Sequence, residues 1–403
     1  MAKKIVITHA FGPDNRGDHE LLEKLIKIIY KKYGNETQIS IFSSFPEKSE
    51  EVFDNPKIKF YKSFISLAGK EKSILNLIKL FLLAIGLLVY YFLGIKWFIP
   101  KNTKLKLATI NNADFIFYCP GGYLYSNKQS YYANIFNGFL LRKSKAIIYF
   151  SPMSIGPFYS DFDKSLTKKL IRNKDIVFAR ESYTYNLCKD LEIKNIYLTT
   201  DLAWYESKYE KFNQDLKWEN KFVITIIDWD YNDLGNQEFY KKRYISEIIQ
   251  CCTRLFKISG QKVVLYNQVG TGKGETNDEK LIKRILNEIP EYVSFDYEEL
   301  VPEVLKSRLH YCNGLIASRF HSALFAIQAE CPFIALSYQP KAEYILKDLN
   351  LAEFSRKISE FDGVNTANKL IEISNNKNEY VKKIEKAKEY CAISIEKNFI
   401  NKL

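Results

Sequence analysis

The sequence predicts an α/β protein of two doubly wound domains, and three observations carry that expectation. Short apolar runs alternate with stretches of helical spacing along most of the chain. Nearly every predicted strand ends in glycine or polar residues, as parallel strands do at the edge where open α/β sheets bind ligands. The 403 residues also exceed what one core usually encloses. A content of 46% hydrophobic and 26% charged residues fits a folded globular chain. With 59 Lys+Arg against 47 Asp+Glu the net charge is +12, which favours anionic partners: a phosphorylated substrate, an acidic polymer or an anionic membrane face. Nucleic acid is set aside, because the basic residues are scattered and neither zinc-finger spacing nor a ribonucleoprotein aromatic motif is present. Seven cysteines, an odd number with no CxxC pair and with Cys251 next to Cys252, read as reduced thiols of a cytoplasmic protein. The opening MAKKIVITHA reads as a strand entering a loop, unlike a secretory signal.

Residues 4–8 form the first predicted strand, followed by the turn-rich loop HAFGPDNRGD and a helix over 19–33. Asp14, Asn15, Arg16, Gly17 and Asp18 lie where the opening βα unit of a doubly wound sheet meets its ligand, although their spacing is not GxGxxG. An ordinary strand-to-helix loop is the alternative at this point. Strands over 39–42 and 58–61 come next. Residues 73–98, SILNLIKLFLLAIGLLVYYFLGIKWF, are the most unusual in composition. Their uninterrupted apolar part, 80–95, is shorter than the roughly 20 residues a spanning helix needs. Lys79, Lys96 and Trp97 bracket it as interfacial anchors do. The stretch is expected to be either a helix lying on a membrane through a stripe containing Leu83, Leu87 and Tyr91, or a buried core helix.

A strand over 114–118 leads into Cys119-Pro120-Gly121-Gly122-Tyr123, where paired glycines admit a ligand or another backbone. A strand over 146–150 ends in SPMSIGPF, which contains Ser154. The strand over 175–179 runs into Arg180-Glu181-Ser182, with Ser182 placed to cap a helix over 183–191. The strand 196–198 leads to Asp201. The polar stretch 207–220 connects a first domain, 1–206, to a second, 207–375. There the alternation restarts: strand 222–227, helix 237–259, strand 262–266, a glycine-rich loop 267–277 that lacks the P-loop pattern, and helix 278–289. The tail 376–403 is expected to be a helix packing back on the domains.

The central stretch is NGLIASRFHSALFAIQAECPFIALSY, residues 313–338. A strand over 315–317 turns at 318–320 into a helix, which sets Arg319 and His321 at a helix N-terminus. Backbone N–H groups, the positive dipole end and a two-pronged guanidinium together favour an anionic ligand there. A second strand, 333–336, brings Ser337, Tyr338 and Lys341 to the same edge.

With Asn15-x-Gly17-Asp18, Pro120-Gly121-Gly122, Ser154-Ile155-Gly156-Pro157, Arg180-Glu181-Ser182, Asp201, Gln268, Arg319-Phe320-His321, Pro332, Tyr338 and Lys341 in this order, the chain resembles the polysaccharide pyruvyl transferase family over most of its length. Phe320 stands where leucine is commoner in that family. The resemblance implies two Rossmann-like domains facing across a cleft, as in GT-B glycosyltransferases. It also implies transfer of a pyruvyl group from phosphoenolpyruvate onto two hydroxyls of a sugar, making a ketal on a surface polysaccharide or its lipid-linked precursor. Such an enzyme works peripherally at the inner face of the plasma membrane. The donor would meet Arg180, Arg319, Phe320, His321, Gln268, Tyr338 and Lys341, and the acceptor Asn15, Gly17, Asp18, Gly121, Gly122 and Ser154. Arg180 and Arg319 would each hold one anionic group of the donor, with His321 as the acid/base that titrates nearest neutrality. No metal-ligand spacing is present, so neither a metal nor a cofactor beyond the donor itself is expected. The competing reading is a GT-B glycosyltransferase using a nucleotide sugar, since fold does not fix function and a helix N-terminus with cations suits a nucleotide diphosphate equally.

Overall fold

The computed structural model describes residues 2–66, 74–126, 130–207, 214–229, 235–270 and 276–403. The first residue of the apolar stretch, part of the predicted interdomain connection (208–213) and part of the glycine-rich loop (271–275) lie outside the described residues. The chain folds as two compact units. The first comprises Met1–Pro13, Leu21–Leu202 and Ser394–Leu403; the second comprises Asp14–Glu20 and Ala203–Ile393.

The chain runs β1 (Lys4–Ala10), α1 (Arg16–Tyr33), β2 (Gln38–Ser43), α2 (Pro46–Val52), β3 (Ile58–Lys62), α3 (Ile74–Leu93), α4 (Lys101–Asn111), β4 (Phe115–Tyr118), β5 (Gly121–Leu124), α5 (Ser130–Leu141), β6 (Ile147–Ile155), α6 (Asp161–Leu170), β7 (Ile176–Ala179), α7 (Ser182–Asp190) and β8 (Ile196–Leu198). It continues with β9 (Phe222–Thr225), α8 (Gln237–Ser259), β10 (Val263–Tyr266), α9 (Asn277–Glu288), β11 (Val293–Asp296), α10 (Pro302–Tyr311), β12 (Gly314–Ala317), α11 (Phe320–Gln328), β13 (Phe333–Ser337), α12 (Pro340–Asp348), β14 (Ser355–Lys357), α13 (Gly363–Asn375) and α14 (Lys377–Asn398).

The first sheet has the order β3-β2-β1-β4-β6-β7-β8, with β5 pairing on β6; the second has the order β11-β10-β9-β12-β13-β14. Among the described residues every pairing between these strands is parallel. Helices cover both faces of such sheets, so the central strands are apolar throughout rather than alternating. All residues of β12 (GLIA) and β13 (FIALS) are buried, which explains why their runs are legible in the sequence. Strand order reverses between β1 and β4 in one sheet and between β9 and β12 in the other. Those reversals open the crevices at the carboxyl ends of the strands where ligands of doubly wound sheets bind.

Several expectations are corrected. α1 begins at Arg16, three residues before the expected start, because the Asn15 side chain accepts from Gly17 N–H (3.2 Å) as N-cap residues do. Residues 121–124 form β5 instead of an open glycine loop, and β5 prolongs β6 through Pro152 to Ile155. The space beside Gly121 (φ 141°) is filled by the Tyr123 ring, which lies 2.9 Å from where a Cβ would stand. Ser182 does not cap α7; the N-cap is Glu181, whose carboxylate is engaged by the hydroxyls of Ser154 and Thr184. In α3, Leu87 is fully buried and Leu83 and Tyr91 pack against the core cluster, so the stripe expected to meet lipid is the core-facing one. Among the described residues no helix is long and apolar enough to cross a membrane. All seven cysteines are buried and unbridged.

At the end of β1, His9 adopts φ 64° and stacks on Tyr118 with ring centroids 3.8 Å apart. Its Nε2–H faces the Asn134 carbonyl at 3.0 Å, and Nδ1 accepts from the Thr8 hydroxyl at 2.9 Å. Burial drives its pKa down to about 3, opposed by the Asn134 contact. An unfolded chain protonates this group near pH ~6.5, so the folded state is favoured fully above that pH and loses about 1.4 kcal/mol per pH unit below it, down to about 3. Urea unfolding followed through this range should show a shallower acid decline for His9→Asn, asparagine being tolerant of positive φ. Equal declines in the two proteins would remove His9 from the account.

Candidate active site

In the second unit β12 lies between β9 and β13, and its carboxyl end sits at the strand-order reversal. The turn after it is fixed by buried hydroxyls. Ser318 N–H donates to Thr225 Oγ1 (3.0 Å), and the Ser318 hydroxyl meets Tyr244 Oη at 3.0 Å. Arg319 follows as the extended N-cap of α11 (φ −126°, ψ 139°) and makes no side-chain cap bond. Its Nη2 pairs instead with the carboxylate of Asp278, in the first turn of α9. Asp278 Oδ1 also accepts from Asp228 N–H at 2.7 Å, beyond the end of β9.

Three buried donors in this region have no partner among the described residues: Arg319 Nε, Gln268 Nε2 and Gln339 Nε2. Gln268 is 1% exposed and is oriented by Ser322, whose hydroxyl donates to Gln268 Oε1 at 3.1 Å from the first turn of α11. Gln339 is the N-cap of α12 and lines a shallow recess together with Phe320, Tyr338 and Lys341. The Tyr338 ring is held 4.4 Å from Trp229. Leaving a buried polar group unmade costs about 1–3 kcal/mol, so a set made of donors alone is a standing demand for acceptor oxygens. The N-terminal dipole of α11 adds to that demand.

His321 occupies the first turn of α11, and Gly17 packs directly on it. A Cβ at Gly17 would fall 2.2 Å from His321 Nδ1. That approach is possible because Asp14–Glu20 belongs to the second unit. Arg16, 4% exposed, donates to the carbonyls of Leu300 (3.1 Å), Asp14 (2.8 Å) and Gln268 (3.4 Å). Asn15 forms an antiparallel bridge with Val269, and Gly270 N–H donates to the Asp14 carbonyl at 3.0 Å. Glu20 forms a buried ion pair with Lys306 at 3.1 Å. Asn15 Nδ2 donates to Asp18 Oδ2 at 2.7 Å, holding the first turn of α1. The expected donor residues Arg319, Phe320, His321, Gln268, Tyr338 and Lys341 and the expected acceptor residues Asn15, Gly17 and Asp18 therefore fall in one unit.

Arg180, Ser154, Gly121 and Gly122 lie in the first unit. Arg180 is 2% exposed; its Nη1 pairs with Asp201 at 2.7 Å and its Nε donates to Ser154 Oγ at 2.8 Å. Glu181 Oε2 lies 3.6 Å from the same Nε and accepts from Ser154 Oγ at 2.9 Å. Among the described residues Arg180 meets the carboxylates of Asp201 and Glu181 in its own unit, and Arg319 meets that of Asp278.

The polysaccharide pyruvyl transferase family matches residues 15–340, the span that holds every one of these groups up to the N-cap of α12 and stops one residue short of Lys341. This chain belongs to that family. No curated protein matches it in sequence. Among solved structures it is similar to a putative UDP-N-acetylglucosamine 2-epimerase from Listeria monocytogenes (13% identity, 98% of this chain and 94% of that one, TM-score 0.60). It is likewise similar to the S. aureus MnaA–UDP co-structure (11% identity, 98% and 94% covered, TM-score 0.61). A trehalose-6-phosphate enzyme structure from E. coli bound with UDP-2-fluoro glucose is a third (10% identity, 99% and 96% covered, TM-score 0.56). These likenesses establish a GT-B-like fold of two Rossmann-like α/β units.

Asp278 and the Glu20–Lys306 pair leave no signal in the sequence. Asp278 looks like any acidic residue in a helix's first turn, and nothing local to it points to an arginine 41 residues away. Gly17 supplies the sharpest test of the geometry. Gly17→Ala should force His321 to move, shifting its imidazole resonances in NMR and lowering stability by about 1–3 kcal/mol through overpacking. Unmoved His321 resonances would mean that the two residues do not touch.

Proposed function

We propose that this chain transfers a pyruvyl group from phosphoenolpyruvate to two hydroxyls of a saccharide, forming a cyclic ketal on a surface polysaccharide or its lipid-linked precursor at the inner face of the plasma membrane. The observation that carries the reading is the set of buried groups around the N-termini of α11 and α12, Arg319 Nε, Gln268 Nε2 and Gln339 Nε2, that have no partner among the described residues and are all donors. Phosphoenolpyruvate brings phosphate and carboxylate oxygens and no competing donor, and membership of a pyruvyl transferase family supports this anion as the donor.

In this reading Arg319 Nε and Gln268 Nε2 receive one anionic group of the donor, and Lys341 with Gln339 receives the other. His321 moves the protons. The donor's methylene carbon takes a proton and becomes the ketal methyl, and the first sugar hydroxyl adds to the adjacent carbon as it gives up its own proton. The second hydroxyl then displaces phosphate from that carbon and its proton leaves with the phosphate, so one sugar diol and one phosphoenolpyruvate give one ketal and one phosphate. An imidazole serves both directions of transfer near neutral pH. Arg180, held by Asp201, Glu181 and Ser154, is in this scheme the other arginine that meets the donor.

The UDP-bound structures of similar fold keep a nucleotide-sugar donor as the alternative, and ligand-induced stabilisation separates the two, since only a ligand of the native state raises Tm. Phosphoenolpyruvate should raise Tm and a UDP-sugar should not; the reverse would sink the proposal. Arg319→Lys keeps the charge but loses the planar fork, so the phosphoenolpyruvate shift should shrink strongly in that variant. His321→Gln should keep the shift while turnover falls by ~10²–10⁴-fold. Undiminished turnover in His321→Gln would move the acid/base role to another group.

A further inference from the structure

We propose that the α3–α4 face of the first unit is a docking surface for an anionic bilayer, with the apolar side of α3 entering the acyl region and a lysine recess at its C-terminal end taking lipid phosphate. α3 has one packed side and one exposed side. Leu87 and Tyr90 are buried, while Phe81, Leu82 and Phe92 on the opposite side are 66%, 60% and 73% exposed. The chain then doubles back along the helix: the Phe98 carbonyl oxygen lies 3.2 Å from where a Cβ on Gly86 would stand. This return sets Trp97 and Phe98, also strongly exposed, beside the helix and enlarges its apolar side. Monomeric soluble proteins rarely leave so continuous an apolar surface uncovered.

The charge around this surface selects the occupant. Past the end of α3, Lys96, Lys143 and Lys145 line an open recess together with Tyr90, Gly94 and Asn111, and no carboxylate lines it. Lys143 is held over the Tyr91 ring at 5.2 Å and Lys96 over the Tyr90 ring at 5.7 Å, which keeps both cations at the foot of the helix. α4 adds exposed Lys101 and Lys104 and has no acidic residue. A second copy of this chain would bring the same lysines against one another, because a two-fold interface pairs a patch with itself. An apolar side bordered by cations and aromatic rings instead matches the acyl-to-headgroup boundary of an anionic membrane.

The inference stands on this surface alone and is read without donor, acceptor or turnover, so its failure leaves the proposed reaction untouched and the reverse also holds. The test is co-sedimentation of the full chain with vesicles of phosphatidylcholine, with and without phosphatidylglycerol. The expected result is binding to phosphatidylglycerol vesicles that weakens as salt rises. The combined variant Phe81→Ser, Phe92→Ser, Trp97→Ser should bind about tenfold or more weakly with an unchanged Tm. Lys96→Gln, Lys143→Gln, Lys145→Gln should lose the preference for phosphatidylglycerol. Should the apolar variant fail to fold, Trp97 in the wild-type chain reports directly: its emission should shift to the blue with phosphatidylglycerol vesicles, and Trp97→Phe should abolish that shift. Absence of binding and of any shift would overturn the proposal, as would a wild-type dimer that the apolar variant converts to monomer without vesicle binding.

Discussion

The ion pair between Arg319 and Asp278 holds the second unit's ligand edge together. Asp278 simultaneously accepts from Asp228 N–H, so one carboxylate ties the end of β9, the first turn of α9 and the N-cap of α11. β9 and β12 are the paired strands between which the order of the sheet reverses, so the crevice opens beyond their carboxyl ends, past the last ladder bonds. Buried hydroxyls at Thr225, Ser318 and Tyr244 fix the strand side of the turn, and the Asp278 carboxylate fixes the guanidinium side. With Nη2 committed, the orientation of the rest of the Arg319 fork is set before any ligand arrives.

The two arginines of the family pattern differ in their surroundings. Arg180 faces Asp201 and Glu181 inside its unit, and an arrangement of that kind holds local structure at a large desolvation cost; breaking it from one side costs roughly 3–5 kcal/mol. Arg319 faces one carboxylate and keeps Nε buried without a partner among the described residues, beside the similarly placed amides of Gln268 and Gln339. A chain selected only for stability would supply acceptors for those donors. Their persistence is intelligible as preorganisation, in which donors are oriented in advance toward the oxygens of a bound anion. Gly17 serves the same end from α1, since any side chain there would displace the imidazole of His321.

Much of this was legible in the sequence because parallel strands buried on both faces must be apolar throughout. The runs at β12 and β13 are such strands, and the polar residues that end them are the ones at the ligand edge. The strand at 121–124 was not legible because the space beside Gly121 is taken by the neighbouring Tyr123 ring, and a sequence does not show which atom fills the space beside a glycine. The stripe through Leu83, Leu87 and Tyr91 misled for a related reason. α3 is apolar on all sides, so periodicity carries no information about which side the core takes. Long-range pairs such as Arg319–Asp278 and Glu20–Lys306 leave no local pattern at all.

If the donor oriented at α11 is phosphoenolpyruvate, its three-carbon unit ends on the sugar. The most direct measurement is the mass of a saccharide acceptor after incubation with the enzyme and phosphoenolpyruvate, read together with phosphate release. The expected product is heavier by one pyruvylidene group, with one phosphate released per product. An acceptor that gains a sugar residue from a nucleotide sugar, with phosphoenolpyruvate left intact, would contradict this expectation.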